Sequence, residues 1–322
     1  MEKKSKIYIA GHSGLVGSAI TCELKQQGYH NLITRTHKEL DLLDFEKVAD
    51  FFEKEKPEYI FLAAAKVGGI LANRLYSAQF IYENLQIQNN IIHNAYLHKV
   101  KKLLYLGSSC IYPRHCPQPM KEEYLLTGKP EPTNEQYTIA KIAGITMCQS
   151  YNKQYGTNYI CAVPTNAYGT NDNFHPDNCH VIPALIFRMH DAKIKNIPYV
   201  TAWGSGKSCR EFLFADDLAN AIVFLMQNYS DSDIINIGTG HDLTIYDLAM
   251  TVYEVIDYKG KLQFDTTKPD GMPQKLLDVT KLNKLGWKTK TDLKTGLKIT
   301  YEWYLKNIIN SKNLVSQLQT RS

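Results

Sequence analysis

At 322 residues, with 44% hydrophobic content and a formal charge of +5, the chain has the material for one large α/β unit or two domains, and it lacks the cationic excess of a nucleic-acid binder. Residues 1–6 are charged and lead straight into a strand, with no long apolar run anywhere, which argues against a leader or a membrane span and for a cytoplasmic protein. Seven scattered cysteines without a Cys-x-x-Cys pair argue against a bound metal or a disulfide framework, and imply buried, reduced thiols.

Residues 6–10 read as a short apolar strand, a glycine-rich loop follows, and apolar residues at helical spacing over 15–27 predict a helix ended by Gly28. Further strands are expected at 31–34, 59–63 and 102–106, with helices near 45–54 and 80–98 between them. Alternating strands and helices predict an α/β fold built on a doubly wound parallel sheet of the Rossmann type. The scheme continues through a helix holding Tyr137 and Lys141 into a strand at 158–163, so residues 1–164 are expected to form a dinucleotide-binding domain. Beyond Pro164 the rhythm breaks, and 166–178 and 265–273 are polar, turn-rich loops. A smaller α/β substrate lobe is expected over 165–309, some of whose segments return to the first domain. It should carry a helix at 182–193, a strand at 211–214, a helix at 216–227 and a closing amphipathic helix at 293–308. Residues 310–322 read as a polar tail.

The loop Gly11-His12-Ser13-Gly14-Leu15-Val16-Gly17 follows the first strand directly. Gly11 permits a tight turn, Gly14 lets backbone N–H groups approach a pyrophosphate, and Gly17 lets helix and strand pack closely. NAD-preferring sites place an acidic residue at the end of the second strand, whereas here the chain reads Thr34-Arg35-Thr36-His37-Lys38. Cations there favour a 2′-phosphate and hence NADPH, with Arg35 the leading candidate and His37 or Lys38 assisting. Asp41 stands a little further on, as an alternative contact for the adenine end.

Ser108 and Cys110 follow the strand at 102–106, so they fall at the carboxyl end of a parallel strand, where doubly wound sheets bind ligands. Tyr137 and Lys141, four apart on one helix, project side by side. The ammonium is expected to lower the phenol pKa and hold the nicotinamide ribose, the phenol to pass a proton to a carbonyl under reduction, and Ser108 to orient that carbonyl. An isolated cysteine is more often an inert small hydrophobe than a base. Cys110, however, stands two residues after the serine, so in extended geometry both face the same bound molecule, and a thiolate there can remove a proton α to a ketone. His180, opening the helix at 182–193, is the matching acid, or else an ordinary capping or surface residue.

The glycine loop, the run from Ala63 to Ile70, Gly107-Ser108-Ser109-Cys110-Ile111-Tyr112-Pro113, Pro164-Thr165-Asn166 and the run from Asp172 to Pro176 together resemble the GDP-L-fucose synthase family. These are extended short-chain dehydrogenases/reductases, and the resemblance covers nearly the whole chain. It implies epimerisation of GDP-4-keto-6-deoxy-mannose at C3 and C5, then NADPH-dependent reduction at C4. Cys110 would be the epimerisation base and His180 the acid, with Ser108, Tyr137 and Lys141 serving reduction. The resemblance further implies that the glycine loop, Ala63, Ala64, Leu106, Gly107, Pro164, Asn166 and His180 surround the cofactor. Asn166 would also contact the sugar, Arg188, Trp203, Arg210 and Asp270 would hold the diphosphate or guanosine, and the enzyme would be a homodimer bundled through the helices around 80–98 and 137–155.

The chain departs from that pattern at Ser13, where the family commonly has Arg, and at His37, a second basic position, so only Arg35 keeps full charge. Similar enzymes act on GDP-6-deoxy-4-keto-heptoses in capsule assembly, and the sequence does not separate hexose from heptose. Two other readings stand beside it: a nucleotide-sugar 4-epimerase or dehydratase that retains NAD, and a non-catalytic dinucleotide sensor. The combined presence of Ser, Tyr, Lys, Cys and His argues against the sensor.

Overall fold

The computed structural model describes residues 1–175 and 179–310. The end of the Asp172 to Pro176 motif, the residue Asn178 before the predicted acid, and the tail from 311 onward lie outside the described residues.

Strand β1 (Ile7–Ala10) leads through the glycine loop into α1 (Leu15–Gln26), and β2 (Leu32–Ile33), α2 (Phe45–Glu55) and β3 (Tyr59–Leu62) follow. Next come α3 (Ile70–Leu75), α4 (Ser77–Leu97), β4 (Lys102–Leu106), α5 (Glu135–Tyr155) and β5 (Tyr159–Pro164). Each strand is a short run of Val, Ile, Leu and aromatics buried on both faces, as a parallel sheet covered by helices requires. In β1 the alternation is direct: Ile7 and Ile9 join the core on one side, Tyr8 and Ala10 the core on the other.

The second half begins with β6 (Asn166–Tyr168), α6 (Val181–Ile194), β7 (Tyr199–Trp203), β8 (Cys209–Arg210), β9 (Phe212–Phe214), α7 (Ala215–Asn228) and β10 (Ile235–Ile237). It ends with β11 (Leu243–Thr244), α8 (Ile245–Ile256), β12 (Lys261–Asp265), β13 (Gln274–Lys275), α9 (Thr280–Lys284) and α10 (Leu293–Tyr304). The expected strand at 211–214 is β9 (Phe212–Phe214), and the two-residue β8 (Cys209–Arg210) precedes it in a different sheet. Glu211 lies between them, fully buried, its carboxylate accepting from the N–H groups of Thr239, Gly240 and Leu277.

Among the described residues the main sheet has six parallel strands in the order β10-β5-β4-β3-β1-β2. The strand β10 was not foreseen from the sequence, because its centre is Asn236, a polar residue with no exposure. Asn236 is satisfied by the Tyr112 hydroxyl and by the carbonyls of Met120 and Asp278, contacts that no local pattern announces. Helix α7 packs on α1 and closes one face of the sheet, with Leu218, Ile222 and Leu225 in its core. Helices α4 and α5 close the other. A third core gathers α6, α8 and α10 around Leu185, Met189, Leu248 and Leu297.

Because β2 and β3 flank β1 on opposite sides, the strand order reverses between β1 and β3. Crevices outside the carboxyl ends of strands at such a reversal are where open α/β sheets hold ligands.

Candidate active site

A cleft of about 910 Å³ opens at that reversal, between the sheet and the lobe of α6 and β7. It is lined by every site residue singled out from the sequence except Lys38 and His12, the latter with a buried Nδ1 that has no hydrogen-bond partner. The fold thus brings together residues from Gly11 to Asp270.

At one end lies the glycine cradle. Gly11 has φ +86°, a conformation side chains rarely adopt, and a Cβ there would stand 2.7 Å from the Ala64 nitrogen. The loops after β1 and β3 therefore touch. A Cβ on Gly17 would come 2.0 Å from the Gly11 carbonyl oxygen, and Gly14 caps α1 without any side chain covering the helix's first N–H groups. This bare N-terminus and close-packed turn fit a dinucleotide pyrophosphate. Gly17→Ala must push α1 off β1. The expected result is at least a tenfold weaker NADPH affinity by fluorescence titration and a stability loss of about 1–3 kcal/mol by thermal melting; unchanged affinity would remove the cradle from cofactor binding.

At the adenosine end Arg35 lines the cleft, its Nη2 paired with Glu55 at 2.5 Å and its Nη1 donating to the Thr34 carbonyl. Asp41 is engaged by His37 at 3.7 Å and by the Leu43 N–H. His37 lines the cleft, whereas Lys38 is not among its lining residues.

In the centre the turn after β4 carries Ser108 and Cys110. The Cys110 N–H donates to Ser108 Oγ at 3.3 Å. Cys110 Sγ is met by Lys275 Nζ and by Asn134 Nδ2, each at 3.2 Å. Burial alone would raise this thiol, but the Lys275 charge and hydrogen bonds from Ser108, Lys275 and Asn134 outweigh it and hold the thiol below its ordinary value.

Tyr137 and Lys141 lie on α5 as the spacing required, with the ammonium 5.8 Å from the phenol ring centre. The expected depression of the phenol by the lysine is not what the site shows. Burial and then the Cys110 charge push Tyr137 well above its usual range, and only a hydrogen bond with Ser108 opposes them. The reason is that Lys141 is anchored elsewhere, donating to the Leu106 carbonyl at 2.7 Å above the Tyr105 ring, and burial lowers it to about 8. A phenol so placed is a fully protonated donor at neutral pH.

His180 is the N-cap residue of α6, but its side chain makes no capping bond, and it lines the cleft. Burial, and then the charge of Lys275, hold its imidazole below the ordinary range. Cys179, the residue before it, lies against the turn that opens α3. Asn73 donates to the carbonyls of Gly68 and Gly69, and a Cβ on Gly69 would stand 3.0 Å from the Cys179 carbonyl oxygen.

The far end is cationic and aromatic. The Arg188 guanidinium sits 5.3 Å from the centre of the half-exposed Trp203 ring and donates to the Thr201 carbonyl. Arg210 donates to the carbonyls of Cys209 and Asp270. The Asp270 carboxylate is taken by the Ser205 N–H and hydroxyl, so it shapes the loop rather than standing free for a ligand. Asn166 is tied through Nδ2 to the Glu211 carbonyl.

Two residues at the centre escaped the sequence reading. Lys275 sits on a two-residue strand paired parallel to β8, 165 positions from the sulfur it touches. Asn134 ends a 3₁₀ turn, residues Pro132–Asn134, ahead of α5. Its place three residues before Tyr137 was the one available signal.

The model of the NAD dependent epimerase/dehydratase family matches residues 7–238. The chain is 59% identical over 312 residues to a putative GDP-L-fucose synthase 2 of Arabidopsis thaliana, covering 97% of this chain and 95% of that protein. It is 53% identical to the GDP-L-fucose synthase of Escherichia coli (strain K12), covering 94% of this chain and 98% of that protein. Among solved structures it resembles a GDP-mannoheptose C4 reductase from Campylobacter jejuni with NADP bound, at 45% identity and a TM-score of 0.87, covering 94% and 99% of the two chains.

Proposed function

Because this chain belongs to the NAD dependent epimerase/dehydratase family, and within it to the GDP-L-fucose synthases, we propose that it epimerises a GDP-4-keto-6-deoxy sugar at C3 and C5 and reduces it at C4 with NADPH. The substrate is GDP-4-keto-6-deoxy-mannose and the product GDP-L-fucose. The observation that carries this is the Cys110 thiol, set between a lysine and an amide donor in the same cleft as Ser108, Tyr137 and Lys141. A 4-epimerase or a simple reductase has no use for an acidified thiol there.

The chemistry follows from charge. A C4 ketone makes the C3 and C5 protons acidic, and Ser108 and Tyr137 polarise it by hydrogen bonds to its oxygen. Cys110 as thiolate removes a proton from each carbon in turn. After each removal His180 delivers a proton to the opposite face of that carbon, and the sulfur and the imidazole exchange protons with solvent before the second inversion. The diphosphate and the enolate that forms are anions, and their field offsets the burial that otherwise keeps the imidazole neutral. When bound, NADPH supplies the hydride for C4. Tyr137 then gives its proton to the C4 oxygen, while Lys141 holds the nicotinamide ribose and Arg35 the 2′-phosphate. Arg188, Arg210 and Trp203 take the diphosphate and the guanine.

A second reading, the same chemistry on a GDP-6-deoxy-4-keto-heptose for a capsular polysaccharide, is favoured by the likeness to the heptose C4 reductase. One NMR time course with NADPH separates them. The hexose ketone is expected to turn over with net NADPH oxidation and deuterium at C3 and C5; turnover of the heptose ketone alone establishes the second reading. No net oxidation with either would return the protein to the NAD-retaining epimerases.

We also assign a homodimer built through α4 and α5. These helices pack on one another and leave Tyr82, Leu97, Ile139 and Tyr155 exposed. The seven cysteines form no disulfide among the described residues, in keeping with a cytoplasmic enzyme. Among the described residues no helix is long and apolar enough to cross a membrane.

A further inference from the structure

We propose that Asn134 is a positioning residue that fixes the Cys110 sulfur and makes its thiol acidic, so that one helix, α5, equips both half-reactions. Its bearing on catalysis rests on the reading of Cys110 as the epimerisation base.

Asn134 occupies the N-cap of α5, where an asparagine side chain ordinarily accepts an N–H from the first turn of the helix. Here it makes no capping bond. The amide is turned instead to Cys110, with Nδ2 at 3.2 Å from Sγ. One helical turn further on, Thr138, fully buried, donates its hydroxyl to the Cys110 carbonyl at 3.1 Å. Residues four apart share a helix face. The 134/138 row therefore grips the cysteine at its sulfur and its backbone, while the adjacent 137/141 row presents the phenol and the ammonium. On the other side the Cys110 N–H is held by Ser108 Oγ. The sulfur itself is met by Asn134 and Lys275.

An N–H donor strengthens its bond when sulfur becomes negative, so it favours thiolate over thiol. The other groups acting on the sulfur are Lys275 from β13, Ser108 from the end of β4, Tyr137 from α5 and, through its charge, Arg210 from β8. Lys275 and Arg210 are cations whose field an incoming diphosphate and enolate partly cancel. The Asn134 amide is neutral and keeps its effect with anionic substrate bound.

The test is the pH dependence of iodoacetamide alkylation at Cys110, read by peptide mass spectrometry on the full chain so that Cys179, also in the cleft, is resolved from it. In Asn134→Ala the midpoint is expected to rise by about one pH unit, which makes alkylation about tenfold slower below it. In Asn134→Asp, where an acceptor-only carboxylate faces the sulfur, the rise is expected to be larger. NADPH titration reports whether each variant is folded, and if the alanine variant fails that check the near-isosteric aspartate carries the test. Profiles in folded variants that superimpose on the wild type overturn the proposal. A raised midpoint with slowed deuterium entry at C3 and C5 supports it together with its catalytic consequence. A raised midpoint with deuterium entry at the wild-type rate leaves Asn134 as the residue governing the thiol, and removes Cys110 from the role of base.

Discussion

Cys110→Ser is expected to slow solvent deuterium entry at C3 and C5 by about a hundred- to ten-thousand-fold, the range typical for loss of a positioned general base. A serine hydroxyl fits the space and still accepts from Asn134 and Lys275, but it ionises far above the range of a thiol, and two donors cannot bring it to neutrality. NADPH affinity is expected to stay at the wild-type value, since the Gly11 and Gly17 cradle and the Lys141 anchor on Leu106 do not involve the sulfur. The ketone is then reduced without inversion, and unepimerised product accumulates. ¹H NMR of the substrate in D₂O, paired with a fluorescence titration of NADPH, reads both quantities. Deuterium entering at the normal rate would show that another group is the base.

Tyr137→Phe is expected to lower the rate of C4 reduction by about a hundred-fold or more while deuterium exchange at C3 and C5 falls much less. The phenol is the proton source for the C4 oxygen, and its elevated pKa keeps it protonated throughout the neutral range. Polarisation of the ketone during proton removal is shared with Ser108, so exchange retains a donor. The phenyl ring of the variant keeps the edge-on contact that Tyr137 makes with Phe80, at 6.4 Å between ring centres, so the loss falls on the hydroxyl rather than on packing. Stopped-flow oxidation of NADPH and NMR exchange rates on the same preparation decide the matter. Equal losses in both would contradict a division of labour between the sulfur and the phenol.

The main sheet was legible because its strands are short, apolar and separated by amphipathic helices, a period that any α/β core imposes on its sequence. Its sixth strand was not, because Asn236 belongs in a buried strand only once Tyr112, Met120 and Asp278 have been folded around it. In the site, residues that act through a fixed local spacing were visible: Gly11, Gly14 and Gly17 on one turn, Ser108 and Cys110 on another, Tyr137 and Lys141 on one helix face. The state of the phenol was misjudged, since the spacing placed Lys141 beside Tyr137 but could not show that the ammonium is held by the Leu106 carbonyl.

The sequence by itself determined the parallel sheet and the glycine cradle and proposed the reacting side chains, because each of these rests on a short fixed spacing or on a regular period. Tertiary structure alone decided the acidity of those side chains. Burial raises Tyr137 and lowers Lys141 and His180, while Lys275, 165 residues away along the chain, brings the Cys110 thiol down. A pKa is set by the dielectric and the charges within a few ångströms of a group. Those neighbours are delivered by chain crossings, and chain order does not record them.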